Sequence, residues 1–435
     1  MTINKSMAAQ EHAKKTIPGM TQLLSKRPDL FSYGVWPGYY SKAKGAKVWD
    51  LDGNEYLDMS IAGIGANVLG YADDEIDDAV CSAIRKGVSS TLNCPEELEL
   101  ADLLCEIHPW AKMVRYTRSG GEAMTLAVRI ARAHTKRSVV AFCGYHGWHD
   151  WYLAANVGTD NALGEHLIPG LEPAGVPVEL AGTALPFYVN DLESLKNIAE
   201  KSKDKLAAIV MEPVRNIYPT PEFLAAVQKL AKDTGAVLIV DEISAGLRIN
   251  TGGAHLTFDN FTPDIAVFSK ALGNGYAISA VIGNADVMQS AQKTFISSTN
   301  WTEKVGPTAA LATLRKHARV NAGVRLVELG RTVQAGWSKL AEKHGLSLHV
   351  GGLEPLSHFS FDENPLETKA YFIQLMLDKG FLASNLYYAM FAHSDADVES
   401  YLHACDQAFK TISETKDIKA VLRGAPSGAG FKRIS

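Results

Sequence analysis

Cysteine is scarce in this chain, with five residues in 435, at positions 81, 94, 105, 143 and 405. The number is odd and no Cys-x-x-Cys pair occurs, which excludes a disulfide framework or a zinc ribbon and fits reduced thiols. No apolar stretch approaches the roughly 20 residues that span a bilayer. The opening MTINKSMAAQEHAKKTIPG carries charges but no apolar h-region, so a secretory signal is not expected there. Blocks of lysine or arginine are missing, and a net charge of -5 is small for this length. Neither nucleic acid nor an anionic membrane is implied as a partner. Together these absences predict a soluble cytoplasmic protein.

The length is too great for one core and predicts two domains with a terminal arm. Residues 1–70 read as a polar helical arm followed by a hairpin, GAKVWDLDGNEYLDMS, turning at LDGN and packing with the small domain. Residues 71–318 read as a large domain. Helical periodicity places Ile76, Val80 and Ile84 on one face, then Leu98, Leu103 and Ile107 on another. Strand-like runs follow, including VVAFC, LAAIVM, VLIVD, IAVF and SAVIG, separated by helical stretches. Continuous apolar strands alternating with helices predict an α/β fold with a mostly parallel sheet covered on both faces. Residues 319–435 read as a smaller α+β domain.

The chemistry-bearing residues fall where strands end, the edge at which parallel α/β sheets collect ligands. Lys270 follows the apolar run IAVF. A solvated loop lysine is the plain reading, and an amine with a lowered pKa acting on a carbonyl is the functional one. Asp241 closes VLIVD, where a carboxylate needs a cationic or N–H partner. Arg248, a backbone donor or a protonated ring nitrogen of a ligand each satisfies it. RSGGEA offers Gly120 and Gly121 as N–H donors to an anion at a helix start. GYHGWHD offers Tyr145 as a ring to lie on a planar ligand, with His146 and His149 as hydrogen-bonded loop histidines rather than metal ligands. An anion cup, an aromatic plate, a carboxylate and an amine together suit pyridoxal 5'-phosphate (PLP), and no metal is expected.

At this point the chain resembles the class III aminotransferases of PLP fold type I, in the branch that contains glutamate-1-semialdehyde 2,1-aminomutase. The likeness runs from GAKVWDLDGNEYLDMSIAGIGANVLGY to AHSDADVESYLHAC and is most specific in VDEISAGLR and FSKALGNGY. It implies that Lys270 is the Schiff-base lysine and Asp241 the partner of the pyridinium nitrogen. It also implies that Gly120 and Gly121 hold the phosphate, Tyr145 stacks on the ring and Ile243 packs on its other face. Asn216, in EPVRN, stands one position from where the family binds the cofactor's 3'-oxygen. A threonine of the neighbouring subunit of a homodimer reaches the phosphate in this family, and SSTNWTEKVGP offers Thr299 or Thr302 for it.

The departures bear on substrate. The phosphate turn reads Ser-Gly-Gly where the family has Ser-Gly-Thr, so a hydroxyl is lost. FSYGVWPGYY lacks the aminomutase's substrate-binding arginine, and ASNLYYAMFAHS lacks its glutamate. The expectation is amino transfer from a donor to an external carbonyl acceptor. Internal amino exchange of the aminomutase kind is the alternative.

Overall fold

In the unit Asp74–Gly323, the described residues form seven strands in one sheet. They are β1 (Met113–Thr117), β2 (Val139–Cys143), β3 (Ala184–Pro186), β4 (Leu206–Met211), β5 (Val237–Asp241), β6 (Ile265–Phe268) and β7 (Ser279–Gly283). Their order is β1-β7-β6-β5-β4-β2-β3. Strands β3, β2, β4, β5 and β6 pair in parallel, while β7 is antiparallel to both β6 and β1. Two reversals make β1 run in the same direction as β6. The chain therefore leaves β1, β2, β4, β5 and β6 at one edge of the sheet. This computed structural model describes residues 3–159, 161–166, 170–202 and 204–429.

Alternation of side chains explains why these strands are apolar throughout. Val237 and Ile239 of β5 join a core with Met124, Ala127 and Val128 of the helix Gly120–Thr135. Leu238 and Val240 join the opposite core, with Phe223, Leu224 and Val227 of the helix Pro221–Thr234. Each such aliphatic side chain contributes about 1.5–3 kcal/mol by leaving water. That burial holds the strand ends rigid enough to carry polar groups at costly positions.

Two helices turn differently from the pattern expected of them. In Asp74–Arg85 the buried residues are Ile76, Val80 and Ala83, and Ile84 is exposed. In Pro95–Ile107 they are Leu100 and Leu104, while Leu98 is 71% exposed. Periodicity finds an apolar stripe but does not say which edge of it meets the core, and here both stripes are wider than the surface that covers them.

The other unit joins Met1–Asp73 with Val324–Ser435. Lys47–Asp50 and Glu55–Met59 form the hairpin around LDGN, and Asp50 Oδ1 accepts the N–H groups of Asp52 and Asn54 at 2.9 Å. Glu55–Met59 then pairs in parallel with Phe381–Ala383, which ties the two ends of the chain into one sheet. A second sheet contains the antiparallel strands Leu348–Gly351 and Leu356–Phe361. Among the described residues no helix is long and apolar enough to cross a membrane.

Candidate active site

The sheet edge just described gathers residues from four strand ends into one cavity of about 150 Å³. Gly120, Gly121, Tyr145, Asp241, Ile243 and Lys270 all line it. Asn216, Thr299 and Thr302 do not: all three are exposed, Asn216 in the turn after β4 and the threonines in the short helix Thr299–Thr302.

Lys270 lies two residues beyond β6 with a backbone φ of +46°, a left-handed conformation uncommon in a residue with a side chain. Its Nζ donates to Ser244 Oγ at 2.8 Å. Burial, reinforced by the Arg215 charge, lowers its pKa to about 8. The solvated loop lysine is thus not what the fold builds. This amine gives up its proton far more readily than an exposed lysine does.

Asp241 ends β5 and is 2% exposed. Its partners are not Arg248 but His146, whose Nδ1 lies 2.8 Å from Oδ2, and the Ile243 N–H, which donates to Oδ1 at 3.0 Å. Burial raises its pKa and the histidine opposes that rise. The second ring nitrogen of His146 lies 3.1 Å from the Cys143 carbonyl oxygen. A carbonyl only accepts, so Nε2 carries a proton.

Ser119 caps the helix Gly120–Thr135 in a capping box with Glu122, which uses side chains to satisfy part of its first turn. The N–H groups of Gly120 and Gly121 lie in that turn, where no intrahelical acceptor exists. A side chain at either glycine would make a neighbouring side chain shift. A Cβ on Gly120 would stand 2.9 Å from Ile243 Cδ1, and one on Gly121 would stand 2.9 Å from His149 Cδ2. Bare backbone at a helix start, beside an apolar wall, is a cradle for an anion.

Sequence reasoning missed Glu212 and Arg215. Glu212 Oε2 accepts the Tyr145 N–H at 3.0 Å and lies 3.2 Å from Arg215 Nη1. Burial opposes ionisation of this carboxyl, yet Arg215, His146 and the Tyr145 N–H together hold its pKa below the usual value. The Arg215 guanidinium also sits 5.7 Å from the centre of the Tyr145 ring. The signal available was EPVRN itself, where a charged pair follows an apolar strand as Asp241 follows β5.

Residues 32–391 match the family described as aminotransferase class-III. The chain belongs to the class-III aminotransferases. It is 33% identical to the 3-aminobutyryl-CoA aminotransferase of Cloacimonas acidaminovorans, over 95% of this chain and 99% of that protein. It is 30% identical to the glutamate-1-semialdehyde 2,1-aminomutase of Francisella tularensis, over 86% of this chain and 91% of that one. A solved transaminase with PLP bound superposes with a TM-score of 0.84 at 26% identity, covering 95% of this chain and 99% of that structure. As a class-III aminotransferase this protein is a PLP-dependent transaminase of fold type I, moving an amino group from a donor to a carbonyl acceptor. The cavity fits that cofactor on its own chemistry: side-chain-free N–H donors for a phosphate, a carboxylate for a ring nitrogen and a lysine amine for an aldehyde.

Proposed function

We propose that Lys270 carries PLP as a Schiff base in the resting enzyme and that Asp241 keeps the ring nitrogen protonated. Gly120 and Gly121 bind the phosphate, while Tyr145 and Ile243 cover the two ring faces. The observation that carries this reading is that these six residues, from four separate strand ends, line a single cavity. When bound, PLP supplies an aldehyde for the amino group and a ring that takes up electrons. With the cofactor held there, Lys270 Nζ would take the proton from the donor carbon and hand it on to the carbon of the cofactor's aldehyde. Its depressed pKa keeps Nζ able to accept at neutral pH, and the Ser244 hydroxyl limits where the amine swings. Asp241 and His146 hold one proton between Nδ1 and Oδ2, which keeps the carboxylate fixed.

The donor we infer presents no free carboxylate to this stretch of chain, as in the β-amino acyl thioester named for the Cloacimonas relative. Support comes from the absence of arginine from residues 31–40. A donor panel containing 3-aminobutyryl-CoA, β-alanine and glutamate 1-semialdehyde tests this, with keto product released into solution as the readout. Rearrangement of the semialdehyde without product release would overturn both the donor and the transfer reading.

The working form is a homodimer with shared sites, in which Thr299 or Thr302 donates to the partner's phosphate. Leu92, Leu98 and Phe295 are 80%, 71% and 85% exposed, an apolar surface suited to a second copy. The Lys304 N–H donates to the Val88 carbonyl at 2.9 Å, which joins the chain just after the threonine turn to the chain just before Leu92. Arg118 donates to the carbonyls of Trp301 and Glu303 at 3.0 Å, which fixes the threonine turn beside the glycine cradle. All five cysteines are unpaired, which supports a cytoplasmic location.

A further inference from the structure

A second cavity, of about 460 Å³, lies beside the first in the same unit. The helix Gly120–Thr135 forms one wall with Thr125, Arg129 and Arg132, and the loop Trp148–Trp151 forms the other. Trp148 borders both cavities. The charged side chains on the helix wall are both guanidiniums. Arg129 spends one nitrogen on the Phe295 carbonyl at 3.4 Å, and Arg132 spends its Nε on the Ser138 carbonyl at 3.0 Å. Each guanidinium has further N–H groups to give. His149 is kept below its ordinary pKa by burial, and Asp150, on the exposed rim, is the one carboxylate lining the cavity.

Two arginines three residues apart on one helix face repel each other, and an anion between them relieves that repulsion. Arginine pairs favour phosphate oxygens, which they bind in bidentate fashion. The volume exceeds what a bare inorganic ion fills and suits an organic phosphate. We propose that this cavity binds the phosphoryl group of a small organic ligand, next to but separate from the cofactor's own phosphate cradle. The occupant lies one ring from the catalytic carboxylate, since Trp151 stacks on His146 with ring centres 6.2 Å apart. Two sources supply such a group: the nucleotide tail of a thioester substrate, which rests on the donor reading above, or a separate phosphorylated metabolite.

Calorimetric titration of the PLP-loaded protein with pyrophosphate and with coenzyme A tests the site. Saturable binding of at least one probe is expected. Arg129→Gln should weaken it by about tenfold, and Arg129→Lys should recover most of the loss. Arg132→Gln should weaken binding similarly, with the cofactor absorbance unchanged. Coenzyme A that competes with the amino donor and raises its KM identifies the substrate's tail. Pyrophosphate binding that leaves the KM unchanged identifies a separate metabolite. No saturable binding of either probe, or binding indifferent to both substitutions, overturns the proposal. The readout is binding without turnover, so failure of the donor reading would leave this result standing.

Discussion

His146 Nδ1 lies 2.8 Å from Asp241 Oδ2, joining residues 95 positions apart in the buried floor of the cavity. With the Cys143 carbonyl on its other nitrogen, the imidazole cannot rotate away without losing both bonds. The carboxylate at the end of β5 is thus held from two sides, by a ring and by the Ile243 N–H. In an electron-sink reaction, the position of that charge matters as much as its presence.

Asp241→Ala is expected to lower the rate of the first half-reaction on the order of a thousandfold, because both the charge and its orientation disappear. His146→Phe should cost less, about tenfold in rate, since the Ile243 N–H still orients Asp241. Stability should fall by about 1–3 kcal/mol for the partner lost. Stopped-flow absorbance and denaturant melts separate the two effects. Equal losses in the two variants would mean that the histidine itself does the chemistry.

Borohydride reduction of the purified protein should attach the cofactor to Lys270, located by peptide mass spectrometry, and Lys270→Ala should bind PLP without forming that link. Label on any other lysine would refute the assignment.

The same lysine sets a pH dependence. With the cofactor removed, reaction of Lys270 with an amine reagent should rise through about pH 8, well below ordinary lysines. The sign for stability follows. Between pH 8 and the ordinary lysine range the unfolded chain binds more protons than the folded one, so this group's contribution to stability rises with pH there. Reactivity that increases only above pH 10 would remove the argument for a desolvated amine.

Gly120→Ala places a methyl group 2.9 Å from Ile243 Cδ1, so the isoleucine must move and the cradle narrows. The PLP dissociation constant should rise about tenfold, measured by absorbance after equilibrium dialysis. Unchanged retention would show that the helix start does not hold the phosphate.

Substituting both Thr299 and Thr302 by alanine should weaken PLP retention on dilution while leaving Lys270 able to react at high cofactor concentration. Light scattering should report a dimer, and the interface should be large enough to be obligate. A fully active monomer would sink the shared-site reading.

The strands and helices were legible because their signals are local: short continuous apolar runs give VLIVD and IAVF away, and glycine and proline mark the breaks. Lys270 and Asp241 were legible for the same reason, each being a charged residue at or just past the end of an apolar run. The direction of β7 was not. Its reversal brings the end of β1, and with it Gly120 and Gly121, to the edge where Asp241 and Lys270 already stand. Nor does the sequence choose His146 over Arg248 as the partner of Asp241, or Ser244 as the acceptor for Lys270 Nζ. Such pairs join residues tens of positions apart, and they are fixed by how strands stack and loops fold back over them. The same holds for Leu98, whose helical spacing predicts burial and whose surroundings leave it exposed. Local pattern determines what a segment is, whereas packing decides what it faces.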